Sequence, residues 1–461
     1  MHAHKGMKSV WLVAVVALGF AVGLCGAGWA ETPKAHVYTL DACIQKALEF
    51  SPEVAEAKQD VAVYAAKKDQ ADGAAYPEIS MLALTGPSPE ARKTDISPFI
   101  KTDVSTKING IFGIADITLI QPIYTFGKIS SYKLAAESGK KAAEAGAVKK
   151  ASDIILRTKE LYFGLVLAKD LKKLALEIKD ELEKSARRAQ RQVDTGSPYA
   201  DEVQLFKFQT YLSEVNRNLN EIEKNMAFAS DALATSMGLP RGTVIDPADT
   251  TIALEERKPG TVAELMTYAS LYRAEITQLN EGLKARQALV EAEKSSQYPM
   301  IFAGLQGVVS GATNRDRIRN PYINDYFFSS NYAALFLGLK WGFDFGITKG
   351  RIKEAEAEYN KLVEKKRFAD EAIPLQVRKA YLDYSEATKS IADTDRAVVD
   401  ARKWLVSTVA NYDVGIGDAK DIGDAAQAYA MTKMNNLKSR YNQRMSYANI
   451  LYATGLDQQG R

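Results

Sequence analysis

NYAALFLGLKWGFDFGITKGRIKEAEA, residues 331–357, reads as a strand that turns into a helix. Up to Asp344 two sets of residues alternate, Leu335, Leu337, Leu339, Trp341 and Phe343 against Phe336, Gly338, Lys340, Gly342 and Asp344. That is the two-residue period of a strand. Past the aromatic-glycine pair Phe345-Gly346 the period becomes that of a charged helix. IFGIADITLIQPIYTFGKISSYKLAA, residues 111–136, has the same plan, with Phe126-Gly127 at the join. Both stretches predict a strand-helix hinge, in a protein whose sheet and helices continue one another end to end.

The two stretches belong to a larger repeat. The spacing from Gly127 to Gly346 also relates Tyr162 to Tyr381 and Gly196 to Gly415. A spacing only three longer relates Tyr76-Pro77 to Tyr298-Pro299 and Glu53-Val54 to Glu275-Ile276. Small loop indels account for the drift, and the chain is an internal duplication of about 220 residues.

The first 30 residues read as a secretory signal: Lys5 and Lys8, an apolar run from Val10 to Leu24, and Gly28-Trp29-Ala30 as the cleavage site. Lipidation at Cys25 is not expected, because Leu24 is bulky where a small residue is needed. Beyond the signal no apolar run approaches the ~18 residues of a membrane helix, so the exported chain is either soluble or inserted as strands. A net charge of +3 with acids and bases interspersed does not call for nucleic acid. One histidine, His36, and one cysteine, Cys43, remain after the signal. With no CxxC, HExxH or P-loop, no enzyme, cofactor or metal site is expected, and Cys43 is expected to be a buried small hydrophobe.

The first repeat, 31–240, opens with a short lead and a helix capped by Thr39, with a break and fresh start at Ser51-Pro52. A β-hairpin at 78–124 follows, expected as a short strand 78–85, a loop 86–110 and a strand 111–124. A helical hairpin at 128–237 then turns at Asp194–Pro198. Its first helix, with apolar residues at three-and-four spacing from Ile154 to Val193, would reach roughly 100 Å at 1.5 Å per residue, a coiled-coil-like length with charges outside. Residues 241–260 read as the linker between repeats. The second repeat, 261–461, is expected as a helix 261–295, a β-hairpin 298–344 with strands 298–309 and 331–344, and a helical hairpin 348–453 that turns at Asp413–Gly417. Pro374 predicts a kink or local unwinding in its long helix.

Four strands cannot close a barrel, and lipid does not tolerate open sheet edges. Two chains would give about eight strands with a filled interior; three would give about twelve and leave a lumen. Aromatics gather at the hinge end (Tyr76, Tyr124, Phe126, Tyr298, Trp341, Phe343, Phe345) and near the other loops (Phe112, Tyr326, Phe327, Phe328, Tyr332), as two interfacial girdles would. Measured from the hinges, the apolar sets Ile117/Leu119 and Leu335/Leu337/Leu339 differ in parity, so the lipid-facing side stays open.

TLDACIQKALEFSPEV near the start, the two Tyr-Pro pairs, LIQPIYTFG and LKWGFDFG at the joins, and Gly196 and Gly415 at the helical turns appear in this order over nearly the whole mature chain. In this the chain resembles the outer-membrane efflux proteins typified by TolC. The resemblance implies a mixed α and β membrane protein: a homotrimer that shares one twelve-stranded β-barrel in the outer-membrane lipid of a Gram-negative bacterium, continued by an α-helical barrel through the periplasm. It implies a passive exit duct for a tripartite drug efflux pump or type I secretion system, with a periplasmic adaptor and an inner-membrane transporter as partners.

By the same resemblance the helical tips, with Gly196, Ser197, Gly415 and Gly417, face the adaptor. Asp421 and Asp424, six and nine past Gly415, correspond to acidic rings at the aperture, which would favour cations; the plain alternative is that they complement the helix dipole. Tyr412 matches a gating-latch tyrosine whose acidic partner falls at Glu202, and seam packing is its plain alternative. The family's basic latch residue falls at Gly417, which puts that part of the latch in doubt. A non-conducting periplasmic spacer or surface scaffold is the competing function, and it has no use for four strands with aromatic ends.

Overall fold

The computed structural model describes residues 36–94, 101–196, 201–316 and 325–458. The signal segment with Cys25, Ser197 and Pro198 at the first tip, and Arg317 and Arg319 lie outside these.

Helix α1 (Leu40–Phe50) starts as predicted, Thr39 Oγ1 accepting from the Ala42 N–H at 3.3 Å. Ser51 ends it and caps α2 (Pro52–Gly73), with Pro52 at the first helical position. The second repeat copies the break: the expected single helix 261–295 is α5 (Val262–Tyr272) and α6 (Ala274–Ser295), parted at Arg273. Arg273 stands at the position that Ser51 holds in the first repeat, at the spacing of the two Tyr-Pro pairs. Its buried guanidinium pairs with Glu275 at 3.1 Å and donates to Gln376 at 2.8 Å, so a tertiary anchor makes a break that a polar cap makes in the first repeat.

β1 (His36–Tyr38) and β4 (Ile245–Pro247) pair in parallel. This small sheet ties the expected lead and linker together, a pairing of distant segments that neither tripeptide announces. β2 (Glu78–Thr94), β3 (Lys101–Tyr124), β5 (Met300–Ala312) and β6 (Asn331–Lys340) form an antiparallel sheet in that order, with β2 and β6 at its edges. The first hairpin is longer than expected. Residues read as loop continue the ladder, with register shifts around Pro89, because backbone pairing extends a strand regardless of polar side chains. β6 is shorter than expected and ends at Lys340, opposite Met300 where its partner β5 begins; beyond it Asp344 accepts from the Thr348 N–H at 2.8 Å at the start of the next helix.

The register resolves the parity conflict. Ile79, Leu119, Leu305 and Leu335 form one row across the sheet, so Leu119 and Leu335 share a face. Leu119 lies eight residues before Gly127, whereas its hairpin counterpart Leu339 lies seven before Gly346. The extra residue sits at the register shift between Pro122 and Tyr124, and one inserted residue reverses parity. The resulting face (Ile79, Met81, Ile117, Leu119, Leu305, Leu335, Leu337, Leu339) is apolar, and all but half-buried Leu119 are exposed in the single chain. The opposite face carries Ser80, Asp116, Thr118, Gln306 and Lys340.

The loop-side aromatics do not form a girdle on the apolar face. Short helix α7 (Tyr326–Ser329) folds onto the polar side, where Tyr326 Oη donates to Asp116 at 2.8 Å. Phe327 and Phe328 pack edge-on against Phe112. The buried Arg315–Asp325 pair, 2.8 Å apart, holds this segment in place.

α3 (Lys128–Asp194) and α8 (Ile347–Asp413) each run 67 residues, and α4 (Glu202–Ser236) and α9 (Ala419–Thr454) return from them. Most of the predicted α3 seam is core: Ile154, Thr158, Leu165, Ile178, Leu182 and Ala189 are buried. Leu161, Leu171 and Val193 are half-buried, and Tyr162, Phe163, Val166 and Leu174 join the core from beside the seam. In α8 Tyr384, Ile391, Leu405 and Tyr412 are buried. Near the strands α3 packs on α2 and α6; towards the tip it packs on α4 and α9. Pro374 does not unwind α8, which is helical throughout. Cys43 is buried, and burial pushes its thiol up to about 11. Among the described residues no helix is long and apolar enough to cross a membrane.

Candidate functional site at the helical tips

Each long helix stops on a glycine because reversal needs a left-handed residue. Gly415 has φ +82° and donates to the Tyr412 carbonyl at 3.1 Å, while the next N–H, of Ile416, reaches back to the Asn411 carbonyl at 2.9 Å. This pair of bonds satisfies carbonyls that a helix end would orphan. Gly196 does the same job at φ +61°, donating to Val193 at 3.1 Å. Gly417 has φ +121°, where any L side chain is strained. The missing basic residue at this position therefore has a backbone counterpart: the turn is built for glycine.

The return helices are capped by aspartates. Asp201 accepts from Val203 N–H at 2.9 Å. Asp418 accepts from Lys420 and Asp421 N–H at 2.7 and 3.0 Å, and Asp421 returns the bond by accepting from Asp418 N–H at 3.2 Å. Burial pushes the Asp418 carboxyl up, but the bonds from Asp421 and Lys420 N–H and nearby Lys207 outweigh it and hold it below its ordinary value. The cap's contribution is therefore complete above the ordinary aspartate range, about pH 4, and is lost as pH falls through the lowered value. Asp418→Ala should cost about 1 kcal/mol and speed amide exchange at Lys420 and Asp421, as hydrogen-exchange mass spectrometry would show.

Asp421 and Asp424 are both exposed, one helical turn apart on the side opposite buried Ile422, Ala425 and Ala426. Their positions differ chemically. Asp421 is engaged in the cap, whereas Asp424 makes no hydrogen bond or ion pair among the described residues.

Tyr412 is buried and meets Phe208 edge-on, ring centroids 5.6 Å apart, within a cluster that includes Leu405, Ala419 and Ile422. Burial first, then the charges of Asp201 and Asp413, push its phenol up, with Arg188 opposing. Glu202 is exposed in the first turn of α4 and shares no hydrogen bond with Tyr412 within the chain.

Tip contacts that the sequence did not announce join the two repeats. Arg188 pairs with Asp413 at 2.6 Å, Lys207 with Asp418 at 3.4 Å, and Gln204 accepts from Ala419 N–H at 2.7 Å. Gly423 is buried against Tyr211, whose ring carbons would lie under 3.0 Å from any added Cβ. A glycine inside a helix is a signal of close approach, and here it could have been heeded.

At the other end, both hinge glycines take a positive φ, and in the first hinge the aromatic does so too. Phe126 has φ +50° and Gly127 φ +89°, and Ser295 Oγ donates to the Phe126 carbonyl at 2.8 Å. The Phe126 ring stacks on Tyr298 at 5.1 Å. In the second repeat Gly346 has φ +130°, and Phe345 stands fully exposed.

Residues 43–239 and 269–456 match the family described as outer membrane efflux protein. Among solved structures, the outer-membrane channel OprN is similar with a TM-score of 0.75 and 15% identity over 90% of this chain and 89% of that one. The outer membrane protein VceC of Vibrio cholerae gives 0.72 and 17% over 90% and 96%. The Neisseria gonorrhoeae MtrE outer membrane channel in its open state gives 0.70 and 17% over 90% and 88%. No curated protein matches by sequence. With both repeats matched in order, the chain belongs to the outer membrane efflux protein family, as a non-enzymatic channel subunit of the Gram-negative outer membrane that reaches into the periplasm and contributes four strands to a trimer's shared barrel.

Proposed function

We propose that this protein is the exit duct of a tripartite efflux pump or type I secretion system, opened at its helical tips by a periplasmic adaptor and an inner-membrane transporter. One observation carries most of this reading. A four-stranded sheet with one apolar face, one polar face and two unpaired edges passes directly into helices of 67 residues. A scaffold needs neither the apolar face nor the unpaired edges, and a nutrient porin needs no long helices.

In this reading three copies of Asp421 and Asp424 ring the narrowest aperture, and both carboxylates project from the same exposed side of α9. Conductance in a planar bilayer, on oligomer extracted from the outer membrane, tests it. Discrete small steps are expected for wild type, with larger steps or weaker cation preference for Asp421→Ala/Asp424→Ala. Unchanged steps would move the constriction elsewhere, and no conductance from assembled oligomer would favour a scaffold.

Gly196, Ser197, Gly415 and Gly417 form the adaptor-facing turns in this reading. Gly415→Trp should abolish export while the trimer persists, and unchanged export would count against docking there. The latch is assigned to Tyr412 and Glu202 meeting as the tips close. Tyr412→Phe keeps the ring against Phe208 and removes only the hydroxyl. A raised open probability in single-channel records would place the latch at that hydroxyl, whereas an unaltered record would leave Tyr412 as core packing.

A further inference from the structure

The duplication makes one seam of the protein a template for another. Within the chain, the first repeat meets the second where β3 pairs with β5, and Phe126 closes that seam against Tyr298 with rings 16° from parallel. β6 is the second-repeat counterpart of β3, and β2 is the counterpart of β5. Both are edge strands.

Equivalent positions follow from the hairpins. Ile79 faces Leu119 in the first, and Ile301 faces Leu339 in the second. Leu119 therefore corresponds to Leu339, and β5 corresponds to β2 with Ile301 matched to Ile79, the spacing of the two Tyr-Pro pairs. Leu119 faces Leu305, whose counterpart is Ala83. We infer that β6 of one copy of this chain pairs antiparallel with β2 of the next, Leu339 opposite Ala83, and that Phe345 of the first copy closes this seam against Tyr76 of the second.

Two observations agree with this register beyond the counting. It places Leu337 opposite Thr85 and Leu335 opposite Pro87, so the apolar faces of both copies become one surface. It also covers a ring that the single chain leaves bare: Phe345 is fully exposed, whereas stacked Phe126 is 36% exposed, and Tyr76 is 70% exposed against 57% for stacked Tyr298. The two seams are not identical: β3 carries the extra residue at Pro122–Tyr124 that β6 lacks, and only Phe126 of the two hinge aromatics has a positive φ. Ser295, which holds the Phe126 carbonyl, corresponds to Gly73, so the seam between copies lacks that hydrogen bond and depends more on its aromatic pair.

The inference rests on the shared-barrel reading, and cysteine crosslinking separates the two. In a Cys43→Ala background, Leu339→Cys is combined in turn with Ala83→Cys, Met81→Cys or Thr85→Cys, and trimer assembly of each is checked on native gels. Directly opposed residues lie about 5 Å apart and diagonal neighbours about 7–8 Å, beyond ordinary disulfide reach. Within one chain the two edges are three strand spacings apart, roughly 14 Å, so every crosslink joins copies. Oxidised protein should run as covalent dimer and trimer on non-reducing gels for the Ala83→Cys pair, with loss of those bands for the other two. Preferred crosslinking at Met81→Cys or Thr85→Cys, or none from any pair in an assembled trimer, overturns the register. A chain that never forms a trimer overturns the shared barrel itself.

Discussion

Leu335→Arg is expected to abolish assembly of the protein in the outer membrane, while Ala334→Lys, its neighbour in β6, is expected to leave the trimer intact. Leu335 lies in the apolar row with Ile79, Leu119 and Leu305, whereas Ala334 faces Gln306 and lies on the face that carries Asp116 and Thr118. An arginine on the lipid side of a barrel costs about 2–4 kcal/mol near the bilayer midplane. Three copies bring this to roughly 6–12 kcal/mol per trimer, comparable to the whole stability of an ordinary domain. Heat-modifiable trimer on gels of outer-membrane fractions is the readout. Assembly of the Leu335→Arg variant alongside loss of Ala334→Lys would invert the assigned faces.

Gly423→Leu should carry the second large effect. Its Cβ would lie under 3.0 Å from Cε2 and Cζ of Tyr211, a half-buried ring packed on the tip core, so that ring must turn out of the core or the two helices must part. Gln204, Lys207 and Arg188 already tie the tip across repeats. Overpacking of this kind costs about 1–3 kcal/mol, and either relief loosens the contact between α4 and α9. If the proposed aperture lies at Asp421 and Asp424, which flank Gly423, it should widen, with larger conductance steps and faster protease cutting between 413 and 418. Tyr211→Ala in the same chain should restore wild-type steps by returning the space. An unrelieved effect in that double variant would show that the lesion lies outside this contact.

Much of the architecture was legible because its signals are local. Thr39 and Ser51 are caps whose partners lie three residues on, Pro52 follows at the first helical position, and all sit where the helices start. Gly196 and Gly415 end helices because only a left-handed residue completes that turn. Much of the seam of α3 and α8 is buried, as its spacing leads one to expect. The misses share another cause. β1 and β4 are tripeptides that become strands only by meeting each other, the first hairpin extends through polar residues because a partner strand is present, and α5 and α6 part at Arg273 because Gln376 and the Ala453 carbonyl are there to receive it.

The same division holds at the tips. The acids at 421 and 424 and the aromatic at 412 could be singled out from spacing and resemblance, but their surroundings could not. Asp421 closes a cap with Asp418, Asp424 is left without an intrachain partner among the described residues, and Tyr412 points into a core with Phe208. Phe208 belongs to the first repeat and Tyr412 to the second, so their contact exists only once the two repeats fold together.

By itself, then, the sequence determined the duplication, the four strands, the hinge glycines and the long hairpins, because periodicity, caps and left-handed turns act over a few residues. Only the tertiary structure decided which face of the sheet is apolar and what each tip residue touches. One extra residue near Pro122 reverses every side chain on one side of it relative to the hinge, and that reversal exists only once β3 is laid against β5.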